Sequence, residues 1–142
     1  MTVKLNSYIS FRDNAREAIE FYQSVFGGEV FSDTFRSFAS DEMPVAEVDL
    51  DKTMHAYLKG GNGIELMAAD TPTGMEYHDG ARITLTLNGD DEAILRGYWD
   101  KLAEGGQITM PLDKAPWGDV FGMLVDKYGV NWMIDIGPVQ GE

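Results

Sequence analysis

The chain has no cysteine, which excludes disulfides, thiolate metal sites and cysteine nucleophiles together. Histidine is nearly as scarce, with only His55 and His78. Basic residues are few: 11 Lys and Arg stand against 24 Asp and Glu, a formal charge of -13 that repels phosphate backbones and anionic membrane surfaces. Nucleic-acid and membrane partners are therefore not expected. No apolar run approaches the roughly 20 residues of a membrane helix. The first residues, Met1-Thr2-Val3-Lys4-Leu5-Asn6, pass into an alternating strand pattern without the apolar core of a secretory signal, so a cytoplasmic location is expected. No Gly-x-Ser-x-Gly elbow occurs, and Gly60-Gly61-Asn62-Gly63 turns a hairpin instead of opening a helix, so serine-nucleophile and phosphate-loop chemistry have no support.

What is present is a repeat. Asn6-Ser7-Tyr8-Ile9-Ser10-Phe11, a helix-like run and Phe26-Gly27-Gly28-Glu29-Val30 return, about 70 residues on, as Arg82-Ile83-Thr84-Leu85-Thr86-Leu87, a second helix-like run and Glu104-Gly105-Gly106-Gln107-Ile108. The later part of each unit returns as well: Met54 to Lys59 with Ile64 to Met67, then Phe121 to Asp126 with Val130 to Met133. Two units of about 70 residues would each be marginal alone, which predicts a single domain of two modules, about 1–70 and 80–142, with a linker over 71–79.

Each module reads βαβββ, an α+β architecture. Leu5, Ile9 and Phe11 alternate with Asn6, Tyr8 and Ser10, as in a strand with one buried face. Asn14, with Glu17 three residues on, marks a helix start; Ala15, Ala18, Ile19, Tyr22, Val25 and Phe26 recur at helical spacing and Gly27-Gly28 ends the run. Residues 29–37 read as a strand and 38–53 as a polar, irregular flap with five acidic residues. A hairpin over 54–59 and 63–69 closes the first module. In the second, a strand over 81–88 precedes a helix capped by Asp90 or Asp91 and bearing Ile94, Leu95, Tyr98 and Leu102; strands near 107–112, 119–126 and 130–136 follow. Two such sheets, each covered by a helix on one face, leave their polar faces to line a cleft.

Tyr8-Ile9-Ser10-Phe11, Asn14 to Tyr22, Val25-Phe26-Gly27-Gly28, Met54-His55-Ala56, Leu66-Met67-Ala68, Ala103 to Gly106, Met110-Pro111-Leu112, Trp117, Phe121-Gly122-Met123 and Asp126 to Ile134 together resemble PhnB-like proteins of the vicinal oxygen chelate superfamily, the group of glyoxalase I, extradiol dioxygenases and bleomycin-resistance proteins. The resemblance spans nearly the whole chain and implies tandem βαβββ modules forming a glyoxalase/bleomycin-resistance-type cleft, and a homodimer. A methyltransferase label attached to some PhnB-like sequences finds no methyl-donor signature in this chain.

Superfamily enzymes hold a divalent ion with ligands, usually two His and two Glu, from the first and last strands of each module. The resemblance puts those positions on Asn6 or Ser7, on Arg82 or a neighbour, on Glu65 or Met67, and on Asn131 or Met133. One carboxylate at most survives, and Asn, Ser, Met and Arg are poor ligands for such ions. The expectation is a protein without the usual metal, the alternative a Zn, Ni, Mn or Fe ion recruited by His55, Glu65 and a substrate oxygen.

The polar faces are expected to gather Asn6, Tyr8, Ser10, His55, Tyr57, Glu65 and Met67 from the first module and Arg82, Thr84, Thr86, Met123, Asn131 and Met133 from the second. That mixture suits a small, partly apolar molecule bearing a carboxylate or similar oxyanion. His55 reads as a general base or a structural histidine, and Glu65 as a proton carrier or the partner of Arg82 or Lys59. Arg82 reads as an oxyanion anchor or a cross-strand partner, and Trp117, between Pro116 and Gly118, as a cover for the cleft or interface packing. His78 reads as solvent-facing, and Phe121 and Trp132 as core. Three functions follow: a metal-free binder, a lyase, isomerase or dioxygenase using His55 or Glu65, or a drug-sequestering resistance protein.

Overall fold

The structure, a computed structural model, describes residues 5–75, 77 and 83–138. The chain divides into two compact units, Met1–Asp79 and Gly80–Glu142. The first contains β1 (Ser7–Phe11), α1 (Ala15–Phe26), β2 (Glu29–Thr34), β3 (Thr53–Lys59) and β4 (Glu65–Asp70). The second contains β5 (Leu85–Gly89), α2 (Glu92–Ala103), β6 (Gln107–Lys114), β7 (Val120–Val125) and β8 (Asn131–Ile136). Both are βαβββ with one sheet each, ordered β1-β4-β3-β2 and β5-β8-β7-β6. The first and last strands of each unit run parallel and the other pairs antiparallel.

Each core lies between a helix and one sheet face. In the first unit Ala15, Ala18, Ile19, Tyr22, Val25 and Phe26 of α1 are buried, facing a layer that includes Ala56, Leu58, Leu66 and Ala68. Burying one large apolar side chain contributes about 1.5–3 kcal/mol, so this stripe fixes which sheet face the helix covers. In the second unit the buried side of α2 is Leu95, Trp99 and Leu102. This corrects the expected face: Ile94 is 40% exposed, and the helix turns instead to set Trp99 over Gly122. A methyl group at Gly122 would meet the Trp99 ring at 2.8 Å, so the glycine makes the room.

The start of α1 also differs from expectation. Asn14 occupies the N-cap position but makes no side-chain cap. Asp70, at the end of β4, takes over: Oδ1 accepts the Ala15 N–H at 2.8 Å and Oδ2 accepts the Thr53 N–H at 2.9 Å. One buried carboxylate thus ties helix, β3 and β4 together, replacing a local cap by a long-range one. In α2 the expected local cap is present, with Asp91 accepting from the Ile94 N–H at 3.2 Å.

The strand expected over 29–37 stops at Thr34, where a 3₁₀ turn, Phe35–Ser37, begins. A second turn, Glu47–Asp49, gives the polar segment an anchor, because Asp49 is buried and holds Thr73 and Lys52. The second module's first strand begins at Leu85, later than the expected residue 81; Ala81 lies outside the described residues.

Candidate functional site

Strand register fixes which side chains share the sheet face away from each helix. In the first unit Phe31 pairs with Tyr57, Tyr57 with Met67, and Met67 with Tyr8. Because alternate residues share a face, these four form a file straight across the sheet, about 14 Å from end to end at the usual strand spacing. Tyr8 is 55% and Phe31 53% exposed, and the Phe31 and Tyr57 ring centroids lie 6.3 Å apart. On one side of this file Asp33 pairs with His55, and Ser10 with Ala69. On the other, Lys59 pairs with Glu65. The Tyr57 hydroxyl donates to Glu65 Oε1. That hydrogen bond, then burial, then the Glu65 charge hold the Tyr57 phenol above its ordinary pKa.

The second unit repeats the file with different chemistry. Thr86 pairs with Met133, Met133 with Met123, and Met123 with Met110. Beside it run Asn88, Asp135, Phe121 and Asp113. Phe121, expected in the core, is half-buried on this face, while Trp132 is buried as expected. Trp117 is 63% exposed on the β6–β7 turn and meets Phe121 edge-on at 5.4 Å.

The files also correct the correspondence between modules. Tyr8 and Thr86 hold equivalent positions, each beside the central Met of its last strand. Counting back, Asn6 stands one step before the β1–β4 ladder beside Glu65, and Thr84 one step before the β5–β8 ladder beside Asn131. Asn6 is therefore equivalent to Thr84, not to Arg82; Arg82 and His78 lie outside the described residues. Ser7 pairs with buried Leu66 and belongs to the helix side.

The first- and last-strand positions thus present Asn6, Glu65, Thr84 and Asn131. One carboxylate, two amides and a hydroxyl do not fit the two-His, two-Glu donor set of a divalent ion. Among the described residues no three His, Asp or Glu side chains are grouped to hold one. His55 and Glu65 do not meet either: Glu65 stands opposite Lys59, four residues and roughly 13 Å along β3 from His55.

A polar depression of about 320 Å³ lies at the Asn6–Glu65 end, lined by Leu5, Asn6, Ser7, Gly63 and Glu65. A wider one of about 620 Å³, beside the start of α1, is lined by Asp13, Glu17, Glu20, Asp33, Asp51 and Asp70 against Arg16 and Lys52. Its acidic excess disfavours an anion.

The expected residues Asn6, Tyr8, Ser10, His55, Tyr57, Glu65 and Met67 thus share one sheet face, and Thr84, Met123 and Met133 belong to the corresponding face of the other unit. Sequence reasoning passed over Phe31, Asp33, Met110, Asp113, Asp119 and Asp135. Alternation from Met133 is the signal that points to Asp135, whereas assigning Asp119 needs the hairpin register.

Paired βαβββ units, each with a helix on one sheet face and a mixed polar and aromatic or methionine face opposite, define a protein of the glyoxalase and bleomycin-resistance type. The sequence profile of the Glyoxalase/Bleomycin resistance protein/Dioxygenase superfamily matches residues 4–134, and the chain belongs to that superfamily. It is 28% identical over 144 residues to Protein YjdN of Escherichia coli (strain K12), covering 93% of this chain and 94% of that protein. Among solved structures, protein PA1353 from Pseudomonas aeruginosa is 32% identical with a TM-score of 0.81, over 97% of this chain and 100% of that one. A PhnB protein from Bacillus cereus, described as a candidate 3-demethylubiquinone-9 3-methyltransferase, is 27% identical with a TM-score of 0.73, over 95% of this chain and 100% of that one.

Proposed function

We propose that this PhnB-like protein binds a small, partly apolar organic molecule bearing a carboxylate or other oxyanion on the helix-free sheet faces, without the superfamily's usual metal. The observation that carries the reading is the Tyr8–Met67–Tyr57–Phe31 file. Half-exposed rings and a thioether offer adaptable apolar contact, and the neighbouring Asn6, Ser10 and His55 supply polar groups to orient a ligand. Lys59 and Arg82 are the cations assigned to the oxyanion. The Asn6, Glu65, Thr84 and Asn131 set supports a metal-free reading because three of the four are weak ligands.

The methyltransferase description belongs to the Bacillus cereus protein. The strand-to-helix connections of this chain, Arg12-Asp13-Asn14 and Asp90-Asp91, contain no glycine to cradle a nucleotide-like methyl donor. A homodimer in the cytoplasm completes the proposal, since β6 is an edge strand with seven of its eight residues exposed and pairing would cover such an edge. None of the described helices is long and apolar enough to cross a membrane.

The test is thermal shift and metal analysis of protein purified without chelators. Zn²⁺, Ni²⁺, Mn²⁺ and Fe²⁺ should leave Tm unchanged, and one or more members of a panel of aromatic and aliphatic carboxylates should raise it. Tyr57→Ala should then weaken binding of the responding carboxylate at least tenfold, and Arg82→Ala by about 1.5–3 kcal/mol. Stoichiometric, stabilising metal binding abolished by Glu65→Gln would overturn the metal-free reading in favour of an enzyme. A carboxylate response indifferent to both Tyr57→Ala and Arg82→Ala would overturn the site.

A further inference from the structure

The second unit contains a carboxyl pair that the ligand reading does not use. Asp119 closes the β6–β7 turn: its backbone oxygen accepts the Ala115 N–H at 2.7 Å, and Gly118 N–H returns to the Ala115 oxygen at 3.0 Å. Its carboxyl group lies against Gly137, two residues beyond Asp135 of β8, and is close enough to Asp135 to raise its pKa by hydrogen bonding and charge. Asp135 Oδ1 is buried and has no hydrogen-bond partner among the described residues, a condition a charged carboxylate tolerates poorly. Gly137 makes the approach possible, because a methyl group there would meet Asp119 Oδ1 at 2.3 Å. Phe121, the cross-strand partner of Asp135, carries the Trp117 ring of the same turn against it.

Two carboxyl groups in hydrogen-bond contact need a proton between them, as neither has a hydrogen to donate when both are ionised. We propose that Asp119 and Asp135 share one proton, and that this proton latches the Ala115–Asp119 turn, with Trp117, onto β8. Loss of the proton leaves two like charges side by side on a partly buried face, and the turn lifts, carrying Trp117 away from Phe121. The latch is a pH-sensitive device, and it holds whether or not the binding reading above is correct.

Among the described residues of this unit, the strands around the pair bring it no basic side chain. β5 contributes Asn88 next to Asp135 and exposed Asp90 just beyond its end; β7 contributes Phe121, and β6 contributes Asp113 beyond Phe121. Lys114 pairs with Val120 and alternates to the helix side, and Lys127 lies at the opposite end of the β7–β8 hairpin, near Tyr128. Burial first, then the Asp119 hydrogen bond and charge, raise the Asp135 pKa above 3.8. The sign follows: a raised pKa makes the latch complete at low pH and releases it as pH climbs through the raised value.

Carbon-detected NMR of the aspartate carboxyls across pH 3 to 9, on the intact chain, tests the device, with the Trp117 indole N–H and the Ala115 amide as reporters of the turn. Asp135 should titrate above the ordinary aspartate range, and both reporters should shift with the same midpoint. In Asp119→Asn the amide keeps a hydrogen bond without an ionisable partner, so the Asp135 midpoint should fall and the reporters should move with it. The wild-type titration decides the matter even if that variant does not fold. An Asp135 midpoint at or below 3.8, or turn reporters indifferent to it, would overturn the proposal.

Discussion

Tyr57 gives its hydroxyl hydrogen to Glu65 across the β3–β4 hairpin, and the two are not direct cross-strand partners: Tyr57 faces Met67, and Glu65 faces Lys59. The bond is therefore diagonal, reached because tyrosine is long enough to span the offset. It fixes Glu65 at the edge of the aromatic file and stabilises the neutral phenol over the phenolate.

The first prediction concerns that phenol. With its folded pKa raised above 10.0, Tyr57 keeps its proton in the native state where the unfolded chain has begun to lose it. The contribution to stability is complete below the unfolded value and is lost as pH rises through the folded one. Ultraviolet titration should show one tyrosine ionising late, absent in Tyr57→Phe. In Glu65→Gln that late step should move down towards the others; an unchanged step would dissociate the two residues.

A second prediction follows from Asp70. Its side chain serves two buried backbone donors, the Ala15 and Thr53 N–H groups, and is itself 6% exposed. Asp70→Ala should cost about 1–3 kcal/mol for each donor left unsatisfied, measured by urea unfolding. Asn14→Ala should cost far less, because Asn14 makes no side-chain cap. Equal losses in the two variants would return the capping role to Asn14.

Asp49 supplies the third, with the opposite pH sign from Tyr57. Burial pushes its pKa up, but hydrogen bonds from Lys52 and Thr73 and the Lys52 charge outweigh burial and bring it below 3.8. A depressed carboxylate stabilises the fold above its unfolded pKa, and that stability is lost as pH falls through the folded value. Wild type should therefore exceed Asp49→Asn in unfolding free energy at pH 7, and the gap should close on acidification below about pH 4. A gap constant with pH would remove the ionised form of Asp49 from the account.

Much of this architecture was legible in the residues, and the limits have physical causes. The α1 stripe from Ala15 to Phe26 was readable because one helix meets one sheet at regular spacing. On α2 the same reasoning chose Ile94 and missed Trp99, since the decision rests on Gly122, 23 positions away, opening space for the indole. Alternation assigned Tyr8, His55, Tyr57 and Met67 to one face, a purely local property. Register between strands is not local, and a shift of a few residues made Arg82 the counterpart of Asn6 when the ladders assign Thr84. The Asp119–Asp135 contact was hidden for the same reason: 16 residues separate them, and only the hairpin offset brings Asp119 over Gly137, beside Asp135.

The last prediction uses the repeat itself. The second glycine of each Gly-Gly pair, Gly28 after α1 and Gly106 after α2, presses against the backbone at the end of the neighbouring strand. A Cβ would meet Lys59 O at 2.0 Å in the first case and Val125 O at 2.3 Å in the second. Carbonyl oxygens held in a sheet cannot move aside as side-chain tips do, so Gly28→Ala and Gly106→Ala must each displace a strand. Each should lose about 1–3 kcal/mol from overpacking, and Gly28→Ala more, because its φ of +92° adds strain for any residue with a Cβ. Gly27 separates the two causes. It also has a positive φ, +73°, but no atom of the described residues lies within 4 Å of its Cβ position, so Gly27→Ala should show the backbone cost alone, about 1–2 kcal/mol. If Gly106→Ala, which suffers crowding without the positive φ, proved neutral by urea unfolding, the close approach of helix end to strand would not be what the repeated glycine pair preserves.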